Sequence, residues 1–343
     1  MTSLTSSTKQ DISNPVQKLP KLSKYAIPGR KNQDVPFSEI FDGFVVAGVA
    51  DGNGPEGGVI APELVRGLLK EVGAMVRGTG KVDKNSIKEC LVRLNDNILE
   101  MKESEVSGST LSGSIFNIKD NKVWIFNVGD SKTLIMRGRD ILFQTKDHLP
   151  TEEDYKKVSR KRNNKKIFNF VFKDNKMNIS TNIQHSGILY HKYTDNAMLV
   201  IGSLTPTSIF GHRALKSQMK FTVDITKIRC YPGIKIISYS DGVSDVFTND
   251  ELIGCSHVSG VRAMDVHASD VRAMDAHTSD AHTSDVPIVF PLDADAKIIA
   301  ELARQRWQGL YKVTDVVSGT IYDGLHSVPE SQIDDISVAV IEM

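Results

Sequence analysis

Apolar positions follow two rhythms along the chain. Phe44 to Ala50 is a short, nearly unbroken β-rich run, and Asp51-Gly-Asn-Gly-Pro-Glu-Gly-Gly58 interrupts it sharply. The spacing then becomes helical: Leu64, Leu68, Val72 and Met75 share one face, flanked by Val65, Leu69 and Val76. Gly78-Thr-Gly80 marks the end of that helix. A second helix is predicted after Asp83 or Asn85 as cap, with Ile87, Leu91, Leu94, Ile98 and Met101 on one stripe. Two helices after a strand predict an antiparallel helix pair lying on a sheet.

From Gly108 the rhythm shortens. Thr110 to Ile118, Val123 to Val128, Lys132 to Arg137 and Asp140 to Thr145 read as strands, with turns at Lys119-Asp-Asn121 and Gly138. Consecutive strands joined by tight turns predict an antiparallel meander. Lys156 to Lys176 is basic and Asn-rich and reads as solvated and irregular. Strands are expected again at Ala197 to Gly202, Met219 to Val223 and Ile234 to Tyr239, a helix from Pro291-Leu-Asp-Ala-Asp295 through Trp307, and a last strand at Ile336 to Ile341.

Two segments stand outside this pattern. Residues 1–24 are rich in Ser, Thr and Lys and read as a disordered leader, leaving 25–343 as one folded unit. Val261 to Asp270 is nearly repeated as Val271 to Asp280, with a half copy at Ala281 to Asp285. The unit is too short and too rarely copied for a solenoid, so 257–287 reads as a low-complexity surface insertion. His267, His277 and His282 within it are the right chemistry for a transition metal, but a duplicated, flexible surface insertion is the favoured reading of them.

Composition narrows the function classes. The 343 residues carry 42 Lys+Arg against 42 Asp+Glu, so nothing in the charge points to nucleic acid or an anionic membrane. Cys90, Cys230 and Cys255 are scattered and odd in number, which argues against a disulfide framework or a thiolate zinc site. With no apolar run near the roughly 20 residues of a membrane span and no signal core, the expectation is an intracellular protein of cytoplasm or nucleus.

The chemistry is concentrated in aspartates beside strand-like runs. Asp51 ends Val45 to Ala50, Asp130 sits in Asn127-Val-Gly-Asp-Ser131, Asp241 and Asp245 in Ser240-Asp-Gly-Val-Ser-Asp245, and Asp334-Asp335 open the last strand. Any single Asp-Gly is an ordinary turn. Carboxylates at several strand ends can instead converge, and they repel unless cations neutralise them. Hard oxygen donors suit Mg²⁺ or Mn²⁺, and a pair of such ions suits phosphoester hydrolysis. Gly52-Asn-Gly-Pro-Glu-Gly57 also matches the dinucleotide fingerprint, but a second helix follows where a parallel strand with its acidic end is required. An EF-hand starting at Asp51 fails on Pro55, Glu56 and Pro62.

In order and spacing these motifs resemble the type-2C, metal-dependent Ser/Thr protein phosphatase family, from about residue 28 to the end. Gly29-Arg-Lys-Asn-Gln-Asp34 is similar to its opening element, Val49-Ala-Asp-Gly-Asn-Gly-Pro-Glu-Gly57 to its Asp-Gly-His-Gly motif, and Gly108-Ser-Thr-Leu111 to its Gly-Ser-Thr strand. Asn127-Val-Gly-Asp-Ser131 with Asp147-His-Leu-Pro150, Ser240 to Asp245, and Asp334-Asp-Ile-Ser337 follow in turn.

The resemblance implies an α+β fold of four layers, α-β-β-α, with two antiparallel sheets flanked by helix pairs. It implies hydrolysis of phosphoserine and phosphothreonine in phosphorylated proteins by a metal-activated water, with two Mg²⁺ or Mn²⁺ ions and a weaker third. By position, Asp51 would bridge two ions, with Gly52 (through its carbonyl), Asp241 and Asp334 completing the ligands. Asp130 and Asp245 would hold the third ion, Asp34 would bind a metal-bound water, and Arg30 would clamp phosphate. The expected partners are phosphoprotein substrates, with neither nucleic acid nor membrane, and the expected state is a monomer.

The chain also departs from the family. Asn53 stands where many members have a proton-donating histidine, Lys132 replaces an arginine, Arg30 lies closer to Asp34 than usual, and His212 replaces the aspartate ending an eroded segment, Gly202 to Arg213. These departures keep open a second reading, a weakly active or inactive pseudophosphatase that serves as a binding module.

Overall fold

The computed structural model describes residues 19–148, 206–216, 221–247, 252, 291, 293–308, 330 and 333–343. It also gives backbone strands at 168–170, 188–194, 197–204, 263–265, 310–314 and 326–327. Residues 1–18 and nearly all of the repeat insertion, with its three histidines, lie outside the described residues.

Two antiparallel sheets form the centre. The first half of the chain supplies β1 (Lys21–Ile27), β2 (Asp34–Phe41), β3 (Phe44–Asn53), β4 (Gly108–Ser109), β5 (Leu111–Asn117), β6 (Lys122–Val128), β7 (Lys132–Arg137) and β8 (Asp140–Gln144). The second half adds β9 (Phe210–Gly211), β10 (Asp224–Arg229), β11 (Ile234–Tyr239) and β12 (Ile336–Glu342). One sheet runs β1-β12-β11-β7-β8. The other runs β9-β4-β3-β5-β6-β10, with β2 on the free side of β3.

The sheets face each other across Val45, Ala47, Val49, Ile125, Ile135, Ile236 and Ile341, where alternate side chains of both meet. The opposite face of the β3 sheet is covered by α1 (Gly57–Thr79) and α2 (Lys84–Glu100). Their stripes, Leu64, Leu68 and Val72 on α1 and Ile87, Leu91 and Leu94 on α2, are buried there. Each fully buried aliphatic side chain contributes about 1.5–3 kcal/mol. Gly80, at φ +62°, closes α1 in a left-handed cap, and the Asp83 carboxylate caps α2 by accepting from the amides of Asn85 and Ser86.

On the far side, α3 (Asp241–Ser244) is a single turn, and α4 (Ala296–Trp307) buries Ile299, Ala300 and Ala303 against Val338 and Val340 of β12. Helix, sheet, sheet, helix is the expected four-layer order. Among the described residues one long helix, rather than two, covers this outer face. None of the described helices is long and apolar enough to cross a membrane.

Two boundaries differ from the pattern-based expectation. Of the strand predicted at Met219 to Val223, the described residues 221–223 are not strand; the strand is Asp224–Arg229, an edge strand that pairs with β6. The first described strand starts at Lys21, inside the stretch read as leader, and pairs residue for residue with β12. Within the Lys156 to Lys176 stretch, Phe168–Phe170 is a strand, paired with Ile188–Thr194.

Candidate metal centre

At one end of the sandwich the strand ends bring the predicted aspartates together. Asp34 opens β2 directly opposite Asp51, near the end of β3. Asp51 is held from below: its carbonyl accepts from the Thr110 amide at 2.8 Å, its amide donates to Thr110 Oγ1 at 3.3 Å, and Thr110 shares a 2.6 Å hydroxyl contact with Ser131. The Gly-Ser-Thr and Gly-Asp-Ser motifs thus form one support under one carboxylate. Gly52 is packed so tightly that a Cβ there would come within 2.5 Å of the Gly57 carbonyl oxygen, and its amide donates to Gln33 O at 3.2 Å.

The carboxylates feel one another. Burial raises the Asp51 pKa well above the ordinary 3.8, and repulsion from Asp241, Asp34, Asp334 and Asp130 raises it further. Asp241 is raised by burial and by Asp334, Asp245, Asp130 and Asp34. Asp34 is pushed up to about 7, chiefly by burial, with the Ser240 hydroxyl pulling it back and Asp335 and Asp334 adding to the rise. Asp130 is likewise raised to about 7, by burial and then by Asp147 and Asp245, while Lys132 opposes the shift. Asp245 is more exposed than the others, on the rim of the cluster. Oδ2 of Asp34 is buried without a hydrogen-bond partner.

The facing rim is cationic. Asp334, raised by burial, is lowered again by Lys31 and Arg30. Both cations ride on the turn from Gly29 to Gln33, which is wrapped around Asp335. Asp335 is only 3% exposed, and its carboxylate accepts from the amides of Gly29 (2.6 Å), Asn32 (2.9 Å) and Gln33 (2.6 Å). The Arg30 amide donates to Ile333 O at 3.0 Å. The shortened opening element still keeps Arg30 near enough to Asp334 to lower its pKa, because the turn is drawn in by three charge-assisted hydrogen bonds.

Sequence reasoning overlooked Lys31 and the role of Asp335. Lys132, in the arginine's place, forms a 3.1 Å ion pair with Asp147. The His148 ring accepts from the Gly129 amide at 3.2 Å, tying the Asp-His-Leu-Pro stretch to the Gly-Asp-Ser turn. His212, in the place of the family's aspartate, is buried and lies against Asn53.

The chemistry of this donor set suits divalent cations. The oxygens are hard, they repel each other when ionised, and one buried oxygen is left without a hydrogen bond. As placed, however, no group of three or more His, Cys, Asp or Glu among the described residues could hold a metal ion. Mutual repulsion of ionised carboxylates opposes their closer approach until counter-charge arrives.

No family model matches the sequence, and no curated protein does. Solved structures do. A C. elegans sex-determining protein superposes with TM-score 0.54 at 15% identity over 94% of this chain and 65% of its own, so the chain spans just under two thirds of that protein. Serine-threonine phosphatase 2C from Toxoplasma gondii gives 0.54 at 14% identity, over 94% of each chain. The photosystem II phosphatase PBCP gives 0.50 at 15%, over 94% of this chain and 98% of its own. With two antiparallel sheets between helices and the aspartates at their shared end, the chain has the fold of the type-2C Ser/Thr phosphatases.

Proposed function

We propose that the protein is a divalent-metal-dependent phosphatase acting on phosphoserine and phosphothreonine in proteins. The observation that carries this reading is the convergence of Asp34, Asp51, Asp130, Asp241 and Asp334, each raising another's pKa, opposite Arg30 and Lys31. Asp51, Asp241, Asp334 and the Gly52 carbonyl would hold two Mg²⁺ or Mn²⁺ ions, and Asp130 with Asp245 a third. When bound, such ions supply Lewis-acid stabilisation of the phosphoryl oxygens and lower the pKa of water.

The chain's own groups have distinct tasks. Arg30 and Lys31 bind and orient the phosphate dianion, the guanidinium by paired donors and the ammonium as a point charge. The Asp335 hydrogen bonds hold both cations in place before substrate arrives, so little ordering is left for the binding step. Asp34 lies beside Asp51 with an unpartnered oxygen, in position to accept a proton or hydrogen bond from the attacking water. The experiment is hydrolysis of p-nitrophenyl phosphate and a phosphothreonine peptide with Mn²⁺, comparing wild type with Asp51→Ala. Equal rates would end this reading.

A second reading, a binding module with little turnover, is favoured by Asn53, an amide where the family carries a proton donor. Calorimetric Mn²⁺ binding without hydrolysis of either substrate selects it; turnover on either defeats it.

A further inference from the structure

Asn53 and His212 are 159 residues apart in sequence, and the fold joins them: His212 Nε2 lies 2.5 Å from Asn53 Oδ1. The imidazole is buried, 2% exposed, and burial lowers its pKa to about 4, so near neutral pH the ring is uncharged. A neutral ring carries one N–H and an amide oxygen can only accept, so the proton is on Nε2 and is donated to Asn53.

The backbone is shaped around this contact. His212 adopts φ +48°, a region that most side chains avoid, and its amide donates to Ser107 O at 2.9 Å. Gly108, the register partner of Asn53, leaves room for the ring, since a Cβ there would come within 2.6 Å of His212 Cδ2. Asn53 lies two residues beyond Asp51 on β3 and therefore on the same face as the carboxylates. Among the described residues its Nδ2 has no hydrogen-bond partner.

We propose that His212 is a positioning residue: by occupying Oδ1 of Asn53 it turns the amide Nδ2–H toward the reacting phosphate, as a neutral donor to the oxygen bridging phosphorus and the leaving group. The inference rests on the phosphatase reading above. In the hydrolysis a water oxygen bonds to phosphorus, the bridging P–O bond breaks, and the departing oxygen takes its proton from solvent. Asn53 stabilises the charge on that oxygen and transfers no proton. The two departures from the family pattern, at 53 and 212, are then two halves of one device.

The test compares His212→Phe, which removes the donor, with His212→Gln, whose amide can donate from the same place, after thermal melts confirm folding. A phosphothreonine peptide leaves as a strongly basic alkoxide, whereas p-nitrophenyl phosphate needs little help. His212→Phe is expected to lower kcat on the peptide about 10- to 100-fold, as loss of one hydrogen bond to a charged group implies. KM stays unchanged, p-nitrophenyl phosphate falls less than about threefold, and Gln restores most of the loss.

An equal fall on both substrates, or no rescue by Gln, marks a merely structural histidine and overturns the proposal. An independent readout is the Asn53 side-chain amide signal of ¹⁵N-labelled full chain with Mg²⁺ and inorganic phosphate. It should shift on phosphate addition in wild type and not in His212→Phe. Saturation by phosphate with no shift overturns the proposal while leaving the phosphatase reading intact. If wild type hydrolyses neither substrate, the phosphatase reading falls first: a phosphate-dependent shift then still supports the donor, and its absence removes the inference too.

Discussion

In the middle of the sandwich Ser112, Thr133 and Ser238 join the two sheets through hydroxyl contacts of 2.8 Å at each step, all three residues buried. At its end Asp34, Asp51, Asp130 and Asp241 are half-buried, yet each is pushed toward its neutral form and Asp34 Oδ2 has no partner. The first region is polar, neutral and satisfied, and burial costs it little. The second is charged and unsatisfied, and the fold tolerates it only because packing elsewhere is strong. The hydroxyl chain serves the structure; the raised carboxylates, with Asp34 Oδ2 left open among them, mark the place where a ligand would complete the fold.

Asp335 is the instructive intermediate. It is as buried as the hydroxyls and carries a carboxylate like its neighbour Asp334, but three backbone amides satisfy it. It belongs to the paired kind and serves the open kind by carrying Arg30 and Lys31.

The contrast breaks most severely at Asp51. Asp51→Ala should leave Mn²⁺-dependent turnover indistinguishable from background, since unassisted phosphomonoester hydrolysis is slower by up to about 10²¹-fold. A phosphopeptide assay reads this directly. Thr133→Val should do the reverse: it strands the Ser112 and Ser238 hydroxyls and destabilises the fold by about 1–3 kcal/mol. Urea unfolding measures the loss, and activity per folded molecule stays near wild type.

Asp335→Ala should fall between them. The turn from Gly29 to Gln33 loses its anchor, and KM for phosphopeptide rises about tenfold with kcat nearly constant, the mark of a lost ground-state contact. Steady-state kinetics separate the two parameters.

The mildest expected effect is on pH. Asp34 titrates near 7 in the folded protein against 3.8 ordinarily. Because the folded value is the higher one, its contribution to stability is complete below about 4 and is lost as pH rises through about 7. In chelator, wild type should therefore weaken relative to Asp34→Asn between those pH values, as followed by urea midpoints. Added Mg²⁺ should shrink the difference.

The helical and satisfied parts of the molecule were largely legible in the sequence. The stripes on α1 and α2, the Asp83 cap and the Gly80 stop depend on neighbours within a few residues, and local patterning exposes them. The aspartate cluster was legible through repetition, because Asp51, Asp130 and Asp241 each follow an apolar run and Asp334 precedes one. What escaped depends on distant pairings. β1 has no apolar signature and exists by pairing with β12. β10 was misplaced by a few residues because the apolar residues before it drew the prediction from an alternating edge strand. The Asp335 anchor spans more than 300 residues and the His212–Asn53 contact 159, and neither leaves a local trace.

That anchor also bears on the order of events during synthesis. Residues 29–33 leave the ribosome about 300 residues ahead of Asp335 and β12. The helix-covered β3 sheet can form while translation continues, but the cationic rim has nothing to close on. A chain truncated before Ile333 would keep the helix-covered core of the β3 sheet but lose β12, the strand that joins β1 to β11, together with the anchor under Arg30 and Lys31, so premature termination should produce a half-built sandwich.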